Sequence, residues 1–257
     1  MRELRAGEAH IEVWADAPAL IARAGQLFAE KARHAVSTEG RFTVALSGGS
    51  TPRALYQRLA AAVEPDAPGI PWRDTHIFWS DERCVPPSSQ DSNYRMAYDA
   101  LLGRVHIPAE QIHRMRGEDE PARAALDYEK LLEEQFEKTP PRFNLMLLGV
   151  GEDGHTASLF PYSAGLEETK RLVASPFIEK LRAHRLTMTP GAINAARTIM
   201  FLVTGRAKAE TLRAVLEGER DPRRYPAQLV EPDGGQLIWL VDEAAASLLS
   251  PGNGRAH

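Results

Sequence analysis

At 257 residues, with 43% hydrophobic and 26% charged side chains, the chain has the make-up of one large or two small globular domains. Its net charge of −4 argues against a broad nucleic-acid surface, so any anion site must be local. The single cysteine, Cys84, excludes an internal disulfide and fits a reducing cytosol; no stretch approaches the roughly 18 apolar residues of a membrane span, and residues 1–16 lack the apolar core of a signal peptide, so a cytoplasmic protein with no membrane partner is expected.

In chain order, residues 10–14 read as a strand, followed by a helix over 17–35 with Asp16 as its N-cap. Residues 42–46 form the next apolar run, which passes through Ser47, Gly48, Gly49, Ser50 and Thr51 into a helix over 52–63 opened by Pro52. Residues 65–69 read as a surface loop, 76–79 as a strand, and 93–102 as a helix capped by Asp91. A helix over 122–137 leads to an unbroken apolar strand at 143–148. Strands at 185–188, 199–203 and 237–241 follow, with helices at 207–216 and 243–249, a surface loop at Asp221-Pro222 and a frayed tail at 251–257. This alternation predicts a three-layer α/β domain over residues 1–250, with a mainly parallel sheet covered on both faces. Nothing in it points beyond a monomer or a small homo-oligomer.

The most informative segment is FNLMLLGVGEDGHTASLFP, residues 143–161. A buried strand ends in a glycine-rich loop carrying Asp153 and His155, where open α/β sheets place their chemistry. Gly149, Gly151 and Gly154 also spell G-x-G-x-x-G, but the segment lacks the apolar helix a dinucleotide site requires, and Phe160-Pro161 cuts it short. The loop from Ser47 to Thr51 has the parts of a phosphate cradle: glycines for close approach, hydroxyls as donors, and a helix N-terminus. It lacks the lysine of a nucleotide-binding loop, and a tight strand–helix turn explains it equally well. Asp81, Glu82 and Arg83 follow a strand and read either as a solvated loop or as site charges. Arg185 and Lys208, at strand edges facing the cradle, would complete a phosphomonoester site as planar clamp and point charge. The remaining histidines show no ligand spacing, and neither a dedicated metal site nor a cofactor is expected. Cys84 reads as a partly buried bystander.

Five segments, SGGSTPRALYQRLA, FWSDERCVPPSSQDSNY, NLMLLGVGEDGHTASLFP, RLTMTPGAIN and FLVTGRAKAETL, together resemble the 6-phosphogluconolactonase family in order and spacing. The resemblance runs from about residue 10 to 245. It implies hydrolysis of 6-phospho-D-glucono-1,5-lactone in the oxidative pentose phosphate pathway. It also implies a doubly wound sheet related to glucosamine-6-phosphate deaminases and ribose-5-phosphate isomerases. The deaminases are the nearest alternative; their loop resembles D-G-H-I-A-F-N-E-P, with a glutamate five residues after the histidine, where this chain has Phe160. A sugar-phosphate-binding regulator would keep the basic pair and lose His155 or its carboxylates, yet both sets are present. On the lactonase reading, His155 takes a proton from the attacking water and returns it to the departing ring oxygen. Either Asp153 or Asp81 orients the imidazole, Arg83 polarises the carbonyl or binds sugar hydroxyls, and loop N–H groups around Gly151 or Gly154 are candidates for an oxyanion hole.

Overall fold

A computed structural model describes residues 1–6, 9–61, 69–136 and 140–250. Its strands are β1 (Arg2–Ala6), β2 (Ala9–Trp14), β3 (Phe42–Leu46), β4 (Thr75–Trp79), β5 (Asp81–Arg83), β6 (Leu145–Leu148), β7 (Val173–Ala174), β8 (Phe177–Ile178), β9 (Ala183–Met188), β10 (Thr198–Val203) and β11 (Gln236–Asp242). The α-helices are α1 (Ala17–Glu39), α2 (Ser50–Ala61), α3 (Asn93–Ala100), α4 (Pro121–Gln135), α5 (Pro190–Asn194) and α6 (Ala209–Leu216).

Seven strands form the central sheet in the order β1-β2-β11-β10-β6-β3-β4. All neighbours are parallel except β1, which pairs antiparallel with β2 at the edge. Every residue of β3, β6 and β10 is buried, so both faces are covered; this is why these runs are continuously apolar rather than alternating. Just before β6, Asn144 Oδ1 accepts from the Thr43 amide at 2.8 Å and from Thr43 Oγ1 at 2.9 Å, so these buried polar groups satisfy each other. Helix α1 begins where Asp16 accepts from the Ala19 amide at 2.8 Å, and it stops at Gly40, whose φ of 76° is left-handed. Its apolar stripe, including Leu20, Ala24, Leu27 and Phe28, packs the helix on β2, β3 and β11. From β3 the chain steps outward to β4, then returns to β6 and continues the other way through β10 to β11. The winding therefore reverses between β3 and β6, and the crevice at their carboxyl ends is the switch point where such sheets bind ligands.

Several expectations are corrected. The strand at the 185–188 segment forms as β9 but leaves the parallel sheet: it pairs antiparallel with β5, β7 and β8 in a second, small sheet. Between β6 and β9 the chain contains only short 3₁₀ turns and two-residue strands, not the helical crossover a parallel neighbour requires. The seventh strand of the main sheet is instead β1, hidden in the charged stretch Arg2–Ala6. Residues 243–248 form successive turns rather than a helix, with the Asp242 carboxylate accepting the Ala245 amide at 2.7 Å. The cap of α3 is Ser92, which accepts from the Arg95 amide, and not Asp91. The loop expected at 65–69 lies largely outside the described residues, as do the ends of the helices expected at 52–63 and 122–137, and the whole 251–257 tail. Among the described residues no helix is long and apolar enough to cross a membrane.

A pH response is built into the opposite end of β4. His113 is 7% exposed, stacks on Phe78 with centroids 4.4 Å apart, and approaches His76, ring nitrogen to ring nitrogen, at 3.3 Å. Burial, reinforced by His76 and Arg41, lowers its pKa to about 4. The unfolded chain binds this proton near pH ~6.5, so the contribution to stability is complete above that value and is lost as pH falls toward the folded value. About 3 kcal/mol is at stake. Melting temperature should fall on acidification through this window, and in His113→Gln the fall should be shallower; an unchanged slope would remove His113 from the acid response.

Candidate active site

Four carboxyl-end loops meet over the switch point. A cleft of about 250 Å³ is lined by Ser47, Gly48, Gly49, Ser50 and Thr51 after β3, Asp81 and Arg83 on β5, Gly151 and His155 after β6, and Thr204 and Lys208 after β10. An adjoining chamber of about 410 Å³ shares Asp81, Arg83, His155 and Lys208, and adds Asp153, Phe160, Lys180 and Arg185. Apart from Glu82, the charged residues singled out in the sequence as site candidates thus surround one connected space. The cradle and Arg185 lie in different parts of it.

His155 stands between the two parts. Its Nδ1 lies 2.5 Å from Asp153 Oδ1, while Lys180 Nζ holds the other carboxylate oxygen at 3.2 Å. The imidazole, with the lysine behind it, keeps Asp153 far below the usual carboxylate range, so this carboxylate is ionised and can only accept. The proton of a neutral ring is therefore placed on Nδ1, and Nε2, which makes no hydrogen bond with the described residues, is left as the acceptor. Phe160 stacks on the imidazole with centroids 4.2 Å apart and planes 21° from parallel, so this side chain packs the ring in place. Gly151 is required by close approach: a Cβ there would collide with the His155 ring and the Asp153 carboxylate. Of the loop N–H groups expected around Gly151 and Gly154 as oxyanion-hole candidates, those of the two glycines are taken: Gly151 N–H donates to the His155 carbonyl at 2.8 Å and Gly154 N–H to the Gly151 carbonyl at 3.0 Å. Both donors are spent in folding the loop.

Asp81 forms no hydrogen bond with His155. Its Oδ2 accepts from Ser158 Oγ at 2.7 Å and its Oδ1 from Asn93 Nδ2 at 3.3 Å, so it ties the His155 loop to α3. Asn93 in turn presses so close to the cradle that a Cβ on Gly48 would collide with its amide. Tyr56, fully buried on α2, both accepts from the Ser47 amide at 3.0 Å and donates to the Ser47 carbonyl at 2.9 Å, which fixes the first residue of the cradle. Ser47 Oγ is buried against the cleft without a hydrogen-bond partner among the described residues, and Thr51 Oγ1 lies 2.7 Å from Thr204 Oγ1. Glu82 is not the solvated charge a loop would carry. It is 2% exposed and points away from the cleft into the start of α3. Arg83 and Arg185 face each other across the β5–β9 pair. Cys84 is half-buried, and burial pushes its thiol up to about 11, which leaves it inert.

Sequence reading missed Lys180, Asn93, Ser158 and Tyr56. Lys180 and Ser158 act through partners 27 and 77 residues away, while Asn93 and Tyr56 sit in what reads as an ordinary helix start and helix; only the folded site brings them into view.

Residues 15–239 match the family model described as glucosamine-6-phosphate isomerases/6-phosphogluconolactonase. The chain is 43% identical over 244 residues to the 6-phosphogluconolactonase of a Nostoc species, spanning 93% of this chain and 98% of that protein. It is 40% identical to the human 6-phosphogluconolactonase, over 93% of each. Among solved structures, the 6-phosphogluconolactonase of Trypanosoma brucei superposes with a TM-score of 0.83 at 30% identity, covering 93% of this chain and 98% of that one. A monomeric glucosamine-6-phosphate deaminase shares the fold, with a TM-score of 0.78 at 20% identity over 93% and 99% of the two chains.

Proposed function

The chain belongs to the glucosamine-6-phosphate isomerase/6-phosphogluconolactonase family, and from that premise we propose that it hydrolyses 6-phospho-D-glucono-1,5-lactone to 6-phospho-D-gluconate, with His155 as general base. The observation that carries this reading is the Lys180–Asp153–His155 relay, which leaves Nε2 of an imidazole that lines the cleft as the acceptor. A δ-lactone is an activated ester, so a positioned base and carbonyl polarisation suffice. Nε2 removes a proton from water as the oxygen adds to C1, and the ion pair with Asp153 steadies the imidazolium that forms. The C1–O5 bond then breaks, O5 takes the proton back from Nε2, and the product acid releases its own proton to solvent. Arg83, which lines both parts of the site, is suited to polarise the carbonyl. The route uses side chains and water alone. Both sheets contribute to this one site, which supports residues 1–250 acting as a single domain.

The phosphate is assigned to Ser47, Gly48, Gly49, Ser50 and Thr51 at the start of α2, with Lys208 opposite. Lys208 forms no ion pair among the described residues, and a charge-assisted contact to phosphate contributes roughly 1.5–3 kcal/mol. Lys208→Ala should raise KM for the phosphorylated lactone by about ten-fold or more and barely change that for gluconolactone. Equal losses on both substrates would make Lys208 structural. The deaminase reading is disfavoured by Phe160, since a phenyl ring stacked on His155 cannot move protons. Incubation with glucosamine 6-phosphate should release no ammonia.

A further inference from the structure

We propose that Arg185 binds the lactone end of the substrate, receiving the carboxylate as it forms, and takes no part in holding the phosphate. The inference rests on the lactonase reading and assigns that site a direction. Arg185 lines the chamber beyond His155 and not the cleft that holds the cradle. A ligand with its phosphate on the Ser47–Thr51 loop and its reacting carbon at His155 therefore extends its C1 end toward Arg185.

The charge balance of that chamber supports the same assignment. Arg185 is half-buried and sits directly opposite Arg83 across an antiparallel pair, an arrangement of like charges that costs stability. Neither guanidinium has a carboxylate ion-pair partner among the described residues: Arg83 donates to the Asp91 carbonyl at 2.6 Å and Arg185 to the His184 carbonyl at 3.1 Å. Burial and the neighbouring Arg83 disfavour charge on Arg185 more than Asp81 and Asp91 favour it, so the protein keeps a cation there at a cost. Lactone hydrolysis is the step that supplies a matching anion. The substrate carries charge only on its phosphate, whereas breaking the C1–O5 bond creates a carboxylate at the opposite end of the six-carbon chain. A guanidinium fork fits that planar group.

The test compares two ligands by calorimetric titration: 6-phosphogluconate, and glucitol 6-phosphate, which has the same chain and phosphate but no carboxylate. Arg185→Met should weaken 6-phosphogluconate about ten-fold and leave glucitol 6-phosphate within two-fold. Lys208→Ala, the reference, should weaken both alike. Should Arg185→Met fail to fold, Arg185→Lys, which keeps the charge but loses the fork, is read by the same difference between ligands. Equal weakening of both ligands, or of neither, in the Arg185 variant would overturn the assignment. If the unmodified protein binds neither ligand, the lactonase reading falls and takes the assignment with it.

Discussion

Replacement of His155 by alanine should lower kcat for lactone hydrolysis by about 10²-fold or more, with KM within a few-fold and the melting temperature near that of the unmodified protein. The expectation follows from the relay. Asp153, anchored on its far side by Lys180, orders the ring and would stabilise its charged form, and no other imidazole lines either part of the site. Folding should survive because the His155 side chain remains about 30% exposed and its main contacts are Asp153 and Phe160. A His155→Ala enzyme with near-normal kcat would remove the imidazole from the chemistry and leave the relay a structural feature.

The largest loss of stability is expected at Glu82. Its carboxylate accepts from the Arg83 and Asn93 amides at 2.7 Å, from the Tyr94 amide at 2.8 Å and from Ser92 Oγ at 3.0 Å, all near the start of α3. Burial pushes this carboxyl above the ordinary range, while the three backbone N–H groups pull it back. Glu82→Ala strands those donors, at about 1–3 kcal/mol for each that water cannot reach, and a total of about 3–5 kcal/mol is expected. For a chain of this size that corresponds to a fall of roughly 10 °C in melting temperature. Activity should fall with it, because Glu82 fixes the strand that presents Asp81 and Arg83 on the other side. A melting temperature within ~2 °C of the unmodified protein would show that water replaces the carboxylate without loss.

The sheet and the two loops that carry the chemistry were legible because burial on both faces leaves a local signature. Phe42–Leu46 and Leu145–Leu148 are apolar without alternation, and each runs on into a glycine, Gly48 or Gly151, that close approach requires. The strand β1 was not legible, since an edge strand exposes one side and Arg2-Glu3-Leu4-Arg5 reads as solvated chain. Nor was the departure of β9 from the main sheet. Strand propensity says that a segment is extended, while its partner is decided by the connection, here too short of helix for a parallel crossover. The same limit separates Glu82 from Asp81 and Arg83. Three adjacent charges look alike in sequence, yet strand alternation turns the middle one into the protein to cap α3 and its neighbours into the cleft. Asp153 and Asp81 were likewise equal candidates to orient His155, and only the folded loop brings the first within hydrogen-bond distance.

The most direct test of the account is proton release from freshly generated 6-phosphogluconolactone at neutral pH, followed with and without the protein. The account requires hydrolysis well above the spontaneous rate, reduced by about 10²-fold in His155→Ala. A rate indistinguishable from spontaneous hydrolysis, or ammonia released from glucosamine 6-phosphate at a comparable rate, would contradict it.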